Sequence, residues 1–179
     1  MRITAVIRAL AALLVTAPVV ASAQGTAVGS TTIIVVRHAE KAAEPAADPP
    51  LTTAGATRAD ALTAFVRDAG VRAVISTQYA RTRLTASPAA TALGLPVETL
   101  DARLTPRATA DSLLAKHRGH TVLVVGHSNT VPAIVEALGA PRPADICDAG
   151  YDNAYVVTVP VSGAATVVRL HYGDRAGCP

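Results

Sequence analysis

Two runs in this chain, Ile33-Ile34-Val35-Val36 and Val122-Leu123-Val124-Val125, contain no polar residue at all. A strand turns successive side chains to opposite faces, so an uninterrupted run of this kind must be covered on both sides. Helices on both faces of a mainly parallel sheet supply that cover, and the expected fold is a three-layer α/β/α sandwich. Each run ends abruptly in polar residues, the first in Arg37-His38 and the second in Gly126-His127. A third apolar run, Val74-Ile75-Ser76, is followed a few residues later by Arg81. In open α/β sheets the ligand crevice lies outside the carboxyl ends of the strands, so these four side chains are expected to meet there.

The rest of the pattern alternates strand and helix. From Thr52 to Ala69, Leu62, Phe65, Val66 and Ala69 recur at helical spacing, and Gly70 stops the helix. A strand follows, Val71 to Ser76. Ser87-Pro88 has the form of a cap and first helical residue, which predicts a break after a short turn at Arg81 to Ala86 and a new helix ending at Gly94. Thr105-Pro106 opens another helix, closed by Gly119 before a strand at Thr121 to Val125, and a further helix spans about Thr130 to Leu138 with Asn129 or Thr130 as its cap. Ala154 to Val159 and Ala165 to Leu170 are joined too closely for a parallel crossover, so they are expected to be antiparallel. The loops Ala42 to Pro50 and Ala140 to Tyr151 fall at the expected rim of the site.

With 179 residues, half of them hydrophobic, the chain is long enough for one domain with a substantial core. Residues 1–23 have the form of a secretory leader: Arg2 and Arg8 in a basic stretch, Leu10 to Val20 apolar, and Ala21-Ser22-Ala23 as a cleavage site. Residues 24–31 then form a linker and 32–179 the domain. The expectation is an exported protein, periplasmic or extracellular, with no stable membrane association once the leader is cleaved; retention as an anchor is the alternative. Cleavage removes two of the sixteen basic residues and none of the thirteen acidic ones, leaving a net charge near +1. That balance, with no basic patch interleaved with aromatics, excludes a nucleic-acid partner. An oxidising compartment would allow Cys147 and Cys178 to pair, which contributes about 3 to 4 kcal/mol for a loop of this length; two unpaired thiols are the other outcome.

Arg37-His38-Ala39-Glu40 with Leu51-Thr52 and Gly55, then Arg81-Thr82-Arg83-Leu84-Thr85-Ala86, then Gly126-His127-Ser128, resembles the histidine phosphatase superfamily, branch 1, also called phosphoglycerate mutase-like. The order and spacing match along most of the mature chain, and Gly126 to Pro132 is most similar to small, exported or uncharacterised members and not to the cytosolic mutases. The resemblance implies a phosphohydrolase acting on phosphomonoesters or related phosphoryl compounds, without metal or cofactor. His38 would be the nucleophile, forming a phosphohistidine that water hydrolyses. Arg37 and Arg81 would hold the phosphoryl oxygens and keep the His38 lone pair available, and His127 would donate to a phosphoryl oxygen with Ser128 beside it. The chemistry is mostly placement and charge stabilisation, which favours arginine over lysine.

The general acid that protonates the leaving group is harder to assign. Family members take it from a mid-chain carboxylate or from the residue after the second histidine, and the latter is Ser128 here. Glu98 is the first candidate and Asp101 the second, both placed after the third strand, with solvated loop charges as the other reading. A substrate whose leaving group needs little protonation, such as an anhydride or phosphohistidine, would relax the requirement. Arg83 is expected to point away from the site, Glu40 to serve as an orienting or ion-pair carboxylate, His117 and His120 to lie at the surface, and His171 has no motif around it. A small phosphorylated substrate or a phosphoprotein is the expected partner. Two other readings stand beside the phosphatase: a non-catalytic phospho-ligand binder using the same pocket, and a phosphoglycerate-type mutase, for which the chain is short.

Overall fold

A computed structural model describes residues 29–175 and 177. The leader expected at residues 1–23 and most of the linker lie outside the described residues. Six strands form one sheet: β1 (Thr31–Arg37), β2 (Val71–Thr77), β3 (Val97–Leu100), β4 (Thr121–Gly126), β5 (Asn153–Val159) and β6 (Thr166–His171). The helices between them are α1 (Thr53–Val66), α2 (Ala80–Leu93), α3 (Pro106–His117) and α4 (Val131–Ala137). The sheet order is β3-β2-β4-β1-β5-β6, parallel from β3 to β1 and antiparallel at β5 and β6.

The two fully apolar strands lie side by side at the centre, and their alternation divides the core. Ile33, Val35, Val122 and Val124 face Leu113, Ile134 and Val135 of α3 and α4. Ile34, Val36, Leu123 and Val125 face Leu62 and Val66 of α1 and Ala86, Ala89 and Ala90 of α2. This is the expected three-layer α/β/α sandwich, with the closing hairpin antiparallel as its short connection requires. Among the described residues no helix is long and apolar enough to cross a membrane.

The break expected at Ser87-Pro88 does not occur. α2 runs unbroken through Pro88 to a glycine cap, Gly94, at φ +66°. One buried face made by Thr82, Thr85, Ala86, Ala89 and Ala90 spans both sides of the proline, and packing that face outweighs the backbone bond proline cannot make. The hydroxyls of Thr85 and Ser87 donate to the carbonyls of Arg81 and Arg83, four residues back, and tie down the turns before Pro88.

Candidate active site

The register of the parallel strands brings the motif residues together. Arg37, last in β1, is paired with Gly126, last in β4, so His38 and His127 leave the sheet side by side. Their ring centroids are 5.5 Å apart. The His38 N–H extends the ladder by donating to Gly126 O at 2.9 Å, and the next residue is fixed by Ala39 N–H donating to Thr85 Oγ1 of α2 at 2.9 Å. Arg81 enters from the first turn of α2. Arg37, His38, Arg81, His127 and Ser128 line one open cleft of about 350 Å³, together with Lys41, Tyr79, Ala102, Asn129 and Thr130.

Each of the four charged or titratable side chains is held by its surroundings. Arg37 is 6% exposed; its Nη1 donates to the carbonyls of Cys147, Asp148 and Gly150 at 2.9 to 3.3 Å, and its guanidinium lies 4.0 Å from the Tyr151 ring centroid. Arg81 stacks on Tyr79 at 4.4 Å, with Asp48 of the 42–50 loop 3.9 Å from its Nη1. The buried Nε atoms of both arginines have no hydrogen-bond partner among the described residues. Two guanidiniums of fixed positive charge lining one cleft suit a tetrahedral anion.

The histidines are kept neutral. His38 is 4% exposed and its pKa is pushed down to about 4, first by burial and then by the charges of Arg37, His127 and Arg81, against the pull of the Ala39 carbonyl. His38 Nδ1 is 2.8 Å from that carbonyl, which can only accept, so Nδ1 carries the proton and Nε2 the lone pair. His127 is likewise lowered to about 4, by burial and then by Arg81 and Arg37. Its Nε2 is 3.0 Å from Thr77 Oγ1.

The candidates for a general acid are not brought to the cleft. Glu98 falls inside β3 and not after it, opposite Ile75, and its carboxylate turns to α3, 3.6 Å from His117 Nε2. The expectation put Glu98 beyond the strand; two residues from the strand end, its side chain is held on a face away from the cleft. Asp101 is ion-paired with Arg103 at 2.7 Å, and that hydrogen bonding lowers its carboxyl to about 2, a poor proton donor. His117, expected at the surface, is partly covered by this contact, whereas His120 is exposed.

Arg83 points away, as expected, and bonds the Gln78 carbonyl. Glu40 is an ion-pair carboxylate, but its partner is Arg58 of α1 at 2.8 Å and not the adjacent Lys41; Arg58 also bonds the Tyr172 and Asp174 carbonyls. His171 pairs with Asp152 at 2.8 Å where β5 and β6 meet. Thr130 caps α4, and its hydroxyl accepts from His127 N. Cys178 lies outside the described residues, and the expected link to Cys147 with it. Among the described residues no three His, Cys, Asp or Glu side chains gather where they could hold a metal.

Sequence reasoning missed Thr77, Thr82, Tyr79, Tyr151 and Asp48. Thr77 was findable, because it ends a strand whose tip faces the crevice. Tyr151 and Asp48 lie on long loops whose course has no local signature.

The family model of the histidine phosphatase superfamily, branch 1, matches residues 33–105, which carry the first two motifs. Over this stretch the chain is similar to the superfamily. Its fold agrees with solved histidine phosphatase-like structures. The protein histidine phosphatase SixA, complexed with tungstate, is 23% identical with a TM-score of 0.63, covering 78% of this chain and 96% of that one. YhfR of Bacillus stearothermophilus is 17% identical with a TM-score of 0.61, over 82% and 98% of the two chains. A mycobacterial glucosyl-3-phosphoglycerate phosphatase is 14% identical with a TM-score of 0.60, over 72% and 90%. No curated protein matches by sequence.

Proposed function

We propose that this protein is a phosphohydrolase of the histidine phosphatase superfamily that transfers a phosphoryl group to His38 Nε2 and then to water. The observation that carries this reading is the pairing of a neutral His38, its Nδ1 proton fixed on Ala39 O, with the guanidinium side chains of Arg37 and Arg81 lining the same cleft. In the first step Nε2 forms a bond to phosphorus as the bond to the leaving group breaks, and the leaving group keeps the electron pair. In the second, water replaces Nε2 and phosphate departs. The guanidiniums stabilise the charge spread over the equatorial oxygens in both steps.

Among the described residues that line the cleft none is a carboxylate, the nearest, Asp48, being held beside Arg81, which favours phosphoryl compounds with an easily released partner, phosphohistidine and anhydrides above simple alkyl esters. The likeness in fold to a protein named as a histidine phosphatase agrees with that preference. Metal independence and export directed by residues 1–23 belong to the same proposal. The experiment is acid-quenched and base-quenched labelling with an aryl [³²P]phosphate in the presence of chelator. A base-stable, acid-labile phosphoenzyme is expected in the wild type and none in His38→Ala, with turnover lost and the circular dichroism spectrum kept. Undiminished turnover in His38→Ala would overturn the nucleophile. Binding of the aryl phosphate without a phosphoenzyme or product would favour the binding-protein reading.

A further inference from the structure

Behind His127 lies a chain of two buried hydroxyls whose protons can be counted. Thr82 Oγ1 is 2.8 Å from Tyr79 O and 3.1 Å from Thr77 O, both carbonyl oxygens that only accept. Two oxygens at 2.8 Å with no proton between them repel, so the single Thr82 proton points to a carbonyl. Thr77 Oγ1, 2.8 Å from Thr82 Oγ1, must then donate to it, and its remaining capacity is to accept. What it accepts is the Nε2 proton of His127, 3.0 Å away. The neutral ring therefore carries its proton on the Thr77 side. Nδ1, which makes no hydrogen bond among the described residues, holds a lone pair.

A lone pair facing a phosphoryl dianion would repel it, whereas a phosphoryl group bearing one proton can donate to it. We infer that the cleft takes its phosphoryl substrate as the singly protonated anion, with that proton shared with His127 Nδ1, and that Thr77 and Thr82 are the positioning residues that enforce this choice. This rests on the phosphoryl reading of the cleft and supplies a proton where no described lining residue is a carboxylate. As His38 Nε2 attacks, the phosphoryl proton passes to His127 Nδ1; as the old bond breaks, it passes on to the leaving group. In the second step a proton of the attacking water takes the same route to the departing phosphate, so the cycle begins and ends with both rings neutral. The charged and titratable groups around His127 are the fixed cations Arg37 and Arg81, the neutral His38 ring 5.5 Å away, Tyr79 edge-on to the His127 ring at 5.5 Å, Lys41 of the same cleft, and Asp101, held as a carboxylate by Arg103.

The test uses two competitive inhibitors, inorganic phosphate and the more acidic inorganic thiophosphate, with inhibition constants measured against pH. Each should lose affinity above its own second ionisation, so the two curves are displaced along the pH axis by the difference between those ionisations. In Thr77→Val, the ring is free to place its proton on Nδ1, and at least half of the alkaline loss should disappear; Thr77→Ser should keep it. Nitrogen-15 NMR of the wild-type protein at neutral pH should show His127 as the Nε2–H tautomer. Curves that fall at one common pH, affinity that rises with pH, or an Nδ1–H tautomer would overturn the inference while leaving the phosphatase reading standing. Failure of both anions to bind at any pH would sink the phosphoryl site itself.

Discussion

At the scale of single residues, the site works by withholding protons. A histidine in water is half protonated near 6.5, and an imidazolium cannot attack phosphorus. Burial and two arginines move both rings to about 4, so the proposed nucleophile stays neutral well into the acid range. The sign follows directly: kcat/KM should not fall as pH is lowered to about 5, and should drop as His38 takes up a proton near 4, in a pH profile of the free enzyme. A fall on acidification through 6.5 would contradict the environment described. Gly55 is the second residue whose identity is dictated. A Cβ there would stand 2.2 Å from Glu40 O, the carbonyl two residues after His38. Gly55→Ala should therefore cost about 1 to 3 kcal/mol in a urea titration. It should also lower kcat, because the displaced backbone is the one that carries the nucleophile.

At the scale of elements, most of the fold and half of the site were legible. Arg37, His38, Arg81 and His127 could be located because each stands at or just beyond a strand end, and a strand end is marked by the abrupt stop of an apolar run. Glu98 was misplaced because β3 is four residues long and barely buried, leaving no hydrophobic stop to read. Tyr151 was invisible, since its stacking on Arg37 depends on a loop. Pro88 misled for a different reason: Ser-Pro is a true local signal for a helix start, and tertiary packing of α2 overrode it. That conflict has a cost in the folded protein. Pro88→Ala restores the missing donor to α2 and should raise stability by about 1 to 3 kcal/mol by denaturant midpoint, with the phosphoryl chemistry unaltered. A loss of stability would mean that the proline ring is itself a needed packing surface.

At the scale of the whole molecule, the cleft draws on segments separated by most of the sequence. The first strand and its histidine come early, yet β1 is completed on one side by β4 and on the other by β5. Arg37 is steadied by three carbonyls from residues 147–150, more than a hundred positions later. Arg58, which holds Glu40, is itself anchored on Tyr172 and Asp174. A nascent chain emerging from the ribosome thus displays its reactive imidazole long before it owns the socket that tunes it. The proposed chemistry would be complete only when synthesis is nearly finished, so a prematurely released fragment is expected to be inert towards the cell that made it.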